Sequence, residues 1–253
     1  MPGPRYDAQK CMGKVLIVNN QTYYAEKEKD KNRPIDIGKE DKKVEELIKT
    51  LNDLGFTVLD VEKNKTRDQM IKLLKEVAAK SDFKDDYCFI CIVLSYGQDG
   101  VITCYDETHS PKNPTARMQL PVSELQECLK GDKCKGLLLK PKIFMLQLEE
   151  ALRDSKDGIE TGTQAPKPVK IPREADFLTY TCERERAITT WEKGLKQYVQ
   201  EPKQPLEIQK LLTRMNRLYC EYYSTQGMTV DTPCVTSLLT REAYLKIEEP
   251  SPK

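Results

Sequence analysis

The sequence predicts an α/β fold, with about six mostly parallel strands in a central sheet and helices on both faces. Three observations carry this expectation. Short apolar runs rich in β-branched residues recur along the chain, each too brief for a helix. Segments with apolar residues at helical spacing separate the first three of them. The run at 87–94 (YCFICIVL) is apolar almost throughout, so it needs cover on both of its faces.

The elements follow in order. Residues 14–20 (KVLIVNN) read as a buried strand. Residues 21–36 are charged, contain Pro34 and read as a loop. From Glu40, Val44, Leu47, Ile48 and Leu51 mark one helical face, and Gly55 is a natural stop. A second strand is expected at 56–62 (FTVLDVE). Thr66 and Gln69 then offer a capping box ahead of a helix carrying Met70, Ile71, Leu74 and Val77. The third strand is 87–94, followed by a hairpin within 97–106, a loop at 107–118 and a short helix at 122–129. Residues 142–148 (KIFMLQL) give a fourth strand and 175–181 a fifth. Helical patterns at 188–199 and 206–223 precede a sixth strand at 233–239 (PCVTSLL). Strand–helix alternation at these intervals suits crossover units on a parallel sheet. Between strands four and five, residues 154–169 hold Gly158, Gly162, Pro166 and Pro168 with few apolar anchors, the pattern of a linker. The expected organisation is one domain over 1–253, with a larger part at 1–153 and a smaller part at 170–253.

Composition narrows the function classes. Forty-one Lys and Arg balance 40 Asp and Glu, which gives no electrostatic case for nucleic acid or anionic lipid as a dominant partner. No stretch is apolar for long enough to span a membrane, and the first residues carry no apolar signal segment. Nine scattered cysteines, several inside apolar runs (Cys88, Cys91, Cys234), read as buried thiols in a reducing, cytoplasmic setting. No metal or other cofactor is expected, because Cys88 and Cys91 fit a buried strand better than a zinc site and His109 has no close cysteine pair.

Sites on such sheets form at the carboxyl ends of strands. Two ends stand out, Ser95-Tyr96-Gly97 and Gln147-Leu148-Glu149-Glu150. A nucleophilic hydrolase there needs a nucleophile and a base, and histidine is the usual base because its pKa lies near neutrality. Tyr96 is a poor base at an ordinary pKa of about 10. Glu149 is a poor nucleophile towards amides, since an acyl intermediate on a carboxylate collapses backwards. Ser95 has no histidine near it in sequence. The plain alternative is that Tyr96 packs at a strand end while Glu149 and Glu150 face solvent.

The succession KVLIVNN, FICIVLSYGQDG, KGDKCKGLLLKPKIFMLQ, KIPREADFL, LLTRMN and TPCVTSLLTREAYL resembles the caspase family over nearly the whole chain. The resemblance implies a three-layer α/β/α sandwich with an antiparallel C-terminal edge strand. It resembles a member with a short prodomain. In active caspases the third strand ends in Ser-His-Gly, and the matching residues are Ser95, Tyr96 and Gly97. The fourth strand of the family runs into Gln-Ala-Cys-Arg-Gly, matched by Gln147, Leu148, Glu149, Glu150 and Ala151. The resemblance therefore implies that tyrosine replaces the catalytic histidine and glutamate the nucleophilic cysteine. Gly97, similar to an oxyanion-hole donor, is retained.

The family reads a substrate aspartate with arginines and the glutamine matched by Gln147. The first arginine position falls near Ile37, with Arg33 close by. The second belongs to a strand after Ala175-Asp176-Phe177-Leu178, where this chain has TYTCERERAITTWEKG; that strand is shortened or missing, and Arg184 and Arg186 are the candidates to stand in. The Ile159-Glu160-Thr161-Gly162 stretch lacks the aspartate of a family linker site, leaving Asp154 and Asp157 nearby.

The resemblance also implies that 233–239 (Pro233, Cys234, Val235, Thr236, Ser237, Leu238, Leu239) is the strand that pairs across a two-fold between protomers. The expected function is a non-catalytic homologue, a pseudocaspase, that regulates an active caspase in apoptosis by heterodimerisation, activating or inhibiting it. A second copy of the chain is another partner for that strand. The alternatives are a decoy for inhibitor-of-apoptosis proteins, a dominant-negative sequestering partner, or an enzyme with relocated chemistry at Cys182. For the interface residues, the plain alternative is that Cys234, Val235 and Leu238 belong to the core.

Overall fold

The computed structural model describes residues 4–20, 37–109, 111, 113–149, 175–182, 187–228 and 230–245. The linker at 154–169, Arg33, Glu150, Ala151, Asp154, Asp157, residues 159–162, Arg184 and Arg186 lie outside the described residues.

Among the described residues the sheet is nine-stranded, with six strands on its main path. β1 (Cys11–Asn19) lies beside β2 (Phe56–Val58) and, further along, β3 (Glu62–Lys63), both parallel to it. The single strand expected at 56–62 is thus two short segments. β4 (Asp86–Gln98) is parallel to β1 and to β7 (Lys142–Glu149), and β7 is parallel to β8 (Phe177–Cys182). β9 (Cys234–Ser237) closes this path antiparallel to β8. The expected hairpin forms from the end of β4 and β5 (Val101–Thr103), and β6 (Gln119–Pro121) adds to β5.

Alternation along the strands builds two cores. Val15, Ile17, Ile90, Ile92, Ile143 and Met145 point to one face. There they meet α1 (Ile37–Asp53), α4 (Ala187–Leu195) and α5 (Ile208–Thr225). Leu16, Val18, Phe89, Cys91, Val93, Phe144 and Leu146 point to the other. There they meet α2 (Arg67–Lys80) and α3 (Val122–Glu127). Burial on both faces explains why β4 and β7 are continuous apolar runs. The result is the α/β/α sandwich with an antiparallel C-terminal edge.

The caps follow the local chemistry. Thr66 Oγ1 accepts from Gln69 N, and Thr66 N donates to Gln69 Oε1, the reciprocal capping box read from the sequence. Gly55, at φ +86°, ends α1. α4 runs on into a π-helical turn at Lys196–Gln200.

Candidate active site and pairing strand

Residues of one parity along β4 and β7 share a face. Tyr96 follows Ile90, Ile92 and Leu94, while Gln147 and Glu149 follow Ile143 and Met145. Alternation therefore places Tyr96, Gln147 and Glu149 at the carboxyl ends of adjacent strands, on the α4 face. Tyr96 and Glu149 are direct register partners. Both are half-buried.

Gln147 is the centre of this end of the sheet. It is 1% exposed. Its Oε1 accepts the backbone N–H of Ile188 at 3.2 Å, and its Nε2 donates to Glu149 Oε1 at 3.0 Å. Ile188 lies in the first turn of α4, where backbone N–H groups lack intrahelical acceptors. Gln147 thus supplies a helix cap from a distant strand while holding the Glu149 carboxylate. The adjacent β8 end places Cys182 opposite Gln147 in register.

Ser95 is fully buried and donates its hydroxyl to Thr103 O at 2.7 Å, fastening β4 to β5. Gly97 has φ +155°, and a Cβ there would lie 2.3 Å from Val101 O. The close hairpin crossing is sufficient reason for glycine at that position.

The buried thiols Cys91, Cys104 and Cys182 are poor candidates for relocated chemistry. Cys182 is fully buried, and burial pushes its thiol up to about 12. Burial likewise pushes Cys91 and Cys104 up to about 12. A nucleophilic cysteine needs the opposite shift and access to substrate. His109, the chain's single histidine, sits in an exposed turn, where its Nδ1 lies 2.7 Å from Thr108 Oγ1 and 3.2 Å from Asp106 Oδ1. Bonds from Thr108 and then His109 hold the Asp106 carboxyl well below the usual range. Among the described residues, no group of three or more His, Cys, Asp or Glu is placed to hold a metal ion. Among the same residues, no helix is long and apolar enough to cross a membrane.

The expectation for the family's substrate strand falls on residues 183–186, which lie outside the described residues.

The second candidate site is β9. Cys234, Val235 and Thr236 are exposed, Ser237, Leu238 and Leu239 half-buried, and Pro233 buried. The expectation that Cys234 is a buried thiol is corrected here: an edge strand covered on one side only leaves it at the surface. Cys234 and Val235 are not core residues, against the plain alternative. Polar side chains anchor β9 at both ends. At its start, Tyr180 OH donates to Asn216 Oδ1 at 2.8 Å, and Asn216 Nδ2 donates to Pro233 O at 3.3 Å. At its end, Leu238 N donates to Phe177 O and Asp176 N to Leu238 O. The buried Asp176, at φ +74°, accepts from Tyr6 OH at 2.6 Å and from Thr240 Oγ1 at 2.7 Å. Sequence reasoning did not assign these anchoring roles. Asn216 lies in LLTRMN and Asp176 in KIPREADFL, both within the stretches that carried the resemblance. Their side-chain roles depend on partners distant in sequence.

The comparisons agree with this architecture. The caspase-domain family model matches residues 12–244. Caspase-7 of Gallus gallus is 32% identical over 260 residues, covering 93% of this chain and 77% of that protein. Caspase-3 of Oryctolagus cuniculus is 28% identical, with 92% of this chain and 83% of that protein covered. The solved structure of pro-sf-caspase-1 has a TM-score of 0.70 at 20% identity, covering 96% of this chain and 98% of that one, which is a likeness of fold. With its strand order, its two-sided core and a family match over most of its length, the chain belongs to the caspase family.

Proposed function

We propose that this chain is a non-catalytic caspase homologue that regulates an active caspase in the cytoplasm during apoptosis, by heterodimerising through β9. One observation carries the reading. The two strand ends that the family uses for histidine and cysteine bring together Tyr96 and Glu149 in direct register. Neither side chain supplies a thiolate or an imidazole base. The engagement of Gln147 supports it further, since both ends of that amide are committed within the chain.

Among the described residues, β9 is an anchored, exposed edge. An edge strand of that kind is a template for pairing with another chain. Pairing by a dead protomer orders or misorders the active-site loops of a live one, which sets the sign of regulation.

The test mixes the purified chain with executioner and initiator caspase zymogens and follows both co-migration and cleavage of aspartyl peptides. Co-migration with raised cleavage gives an activator, and with lowered cleavage an inhibitor. Unchanged cleavage at saturating amounts of the chain with every zymogen rejects the proposal. Cleavage of peptides by the purified chain alone rejects its non-catalytic part.

A further inference from the structure

Leu138 and Leu139 are the most exposed large apolar side chains among the described residues, at 58% and 61%. They sit in the connection between α3 and β7, directly after Leu137, which is fully buried. Leu139 has φ +58°, in the left-handed region where a side chain crowds its own backbone and glycine or asparagine is the ordinary choice. Keeping a leucine there, and in water, opposes both backbone preference and the hydrophobic effect. Strained residues of this kind cluster at functional surfaces.

The surrounding packing holds the pair outward. Cys134 is buried and donates its thiol to Ala78 O at 3.7 Å, which ties the connection to α2. Gly136 lies against Phe83, where a Cβ would come within 3.0 Å of the ring-bearing carbon. Leu138 crosses Gly131, where a Cβ would lie 2.7 Å from Leu138 Cδ1. Leu138 N donates to Lys135 O and Lys140 N to Leu137 O, closing successive turns around the two leucines. Lys140 Nζ then donates to the carbonyls of Phe83, Lys84 and Asp86, and Lys142 Nζ to those of Leu137 and Lys140. The leucines project from a connection pinned on both sides.

The charge balance of the whole chain conceals a local excess. Residues 130–142 hold Lys130, Lys133, Lys135, Lys140 and Lys142 against one acid, Asp132. Lys133 and Lys135 are exposed, as is Lys84 on the neighbouring loop that Lys140 clasps. The acids nearby are matched: Glu127 pairs with Lys130 and Lys133, Asp85 with Lys10 and Asp86 with Lys14. With Asp82 and Asp132 counted as well, cations still exceed anions around the leucines.

We propose that Leu138 and Leu139 insert into the surface of an anionic phospholipid bilayer, with Lys84, Lys133 and Lys135 among the headgroups. Apolar side chains gain from burial at the boundary between headgroups and acyl chains, and lysines beside them gain from the negative leaflet. The long lysine stem keeps its ammonium at the phosphates while the leucines go deeper. A fluid bilayer accepts projecting side chains without a preformed pocket, whereas a protein partner needs a complementary concavity. The contact is peripheral and spans nothing. It lies at the start of β7, so the strand-end site at Glu149 is at the opposite end of the sheet. Apolar and electrostatic terms of this size give weak, reversible binding that salt reduces.

The experiment sediments the full chain with vesicles of phosphatidylcholine alone or of equimolar phosphatidylcholine and phosphatidylserine. The chain should sediment with the mixed vesicles, stay in solution with the neutral ones, and be released by added salt. Leu138→Ser and Leu139→Gly should each weaken binding by roughly tenfold. Glycine suits φ +58°, so Leu139→Gly should keep its denaturant midpoint, and the loss then reports the side chain and not the fold. Lys135→Glu should weaken binding by at least about fivefold. Leu139→Trp gives an independent readout, because the one native tryptophan, Trp191, is fully buried. The new indole's emission should shift to the blue on mixed vesicles and be quenched by brominated acyl chains.

No sedimentation with either vesicle overturns the proposal and makes an acidic protein surface the occupant to seek. Equal sedimentation with both vesicles overturns the anionic selection. Binding that Leu138→Ser and Leu139→Gly leave unchanged, or an indole whose emission does not move while the chain sediments, overturns the proposal by placing the contact elsewhere.

Discussion

Gln147 Oε1 accepts the N–H of Ile188 and its Nε2 holds the Glu149 carboxylate, so one buried amide joins the end of β7 to the start of α4. This sets the cost of removing it. Gln147→Ala should destabilise the chain by about 2 kcal/mol, combining a lost cap with a buried N–H left unpaired. Urea denaturation checks the value, and a change within experimental scatter would mean that the amide is replaceable.

The same arrangement bears on attempts to rebuild a protease. Tyr96→His combined with Glu149→Cys places an imidazole and a thiol at paired positions. The new thiol should alkylate with an apparent pKa below the free value of about 8.5, because an imidazole lies within reach. Cleavage of aspartyl peptides should still be missing, since Gln147 is engaged within the chain at both ends of its amide. Efficient cleavage by the double variant would show that these two side chains are enough to make the chain a protease.

Much of the fold was legible because burial leaves a local signature. The runs at 14–20, 87–94 and 142–148 became β1, β4 and β7, and the Thr66–Gln69 box appeared as read. What stayed illegible depends on partners far away in sequence. α4 begins without a local Ser, Thr, Asp or Asn cap among its described residues, since its cap is Gln147 on another strand. Cys234 sits in an apolar run, yet the edge position of β9 exposes it. The two strand ends stood out from their place at the carboxyl ends of the sheet, but the direct register of Tyr96 with Glu149 depends on pairing between distant strands and has no local signature.

The buried thiols predict an alkaline limit to stability. Cys91, Cys104 and Cys182 are each pushed up to about 12 by burial, whereas unfolded thiols ionise near 8.5. Above that lower value the unfolded chain has released protons that the folded chain keeps, so stability falls as pH rises. The contribution is complete below about pH 8 and is lost progressively towards pH 12, at up to about 1.4 kcal/mol per pH unit for each thiol. Burial also pushes Tyr87 up to about 12, which steepens the fall above pH 10. Denaturant midpoints under reducing conditions between pH 7 and 11 check this on the order of one-unit steps. Cys91→Ala should flatten the slope by one thiol's share.

The Tyr6 hydroxyl donates to a buried carboxylate that also anchors the exit of β9. Tyr6→Phe leaves Asp176 with Thr240 and should cost about 1.5–3 kcal/mol, the range for a bond to a charged acceptor. Hydrogen exchange should speed up at Leu238 and Asp176 more than in β1 or β4, because the lost bond restrains the last turn of β9 and not the sheet centre. Uniform acceleration across the sheet would place the effect in global stability alone.

Val235 separates interface function from folding. It is 37% exposed and lies on the open strand, so a charge there has little to disturb within one chain. Val235→Lys should change the stability of the monomer by no more than about 0.5 kcal/mol, as for an ordinary surface substitution. In a β9-paired complex the same lysine would face its counterpart across a closed interface, where an unpaired ammonium loses its water. Co-migration with a caspase and any effect on its peptide cleavage should both disappear. If the variant keeps its full effect on cleavage, the function resides on another surface, as a decoy for inhibitor-of-apoptosis proteins requires. If it loses the effect but also melts early, Thr236→Lys on the same edge distinguishes lost pairing from lost folding.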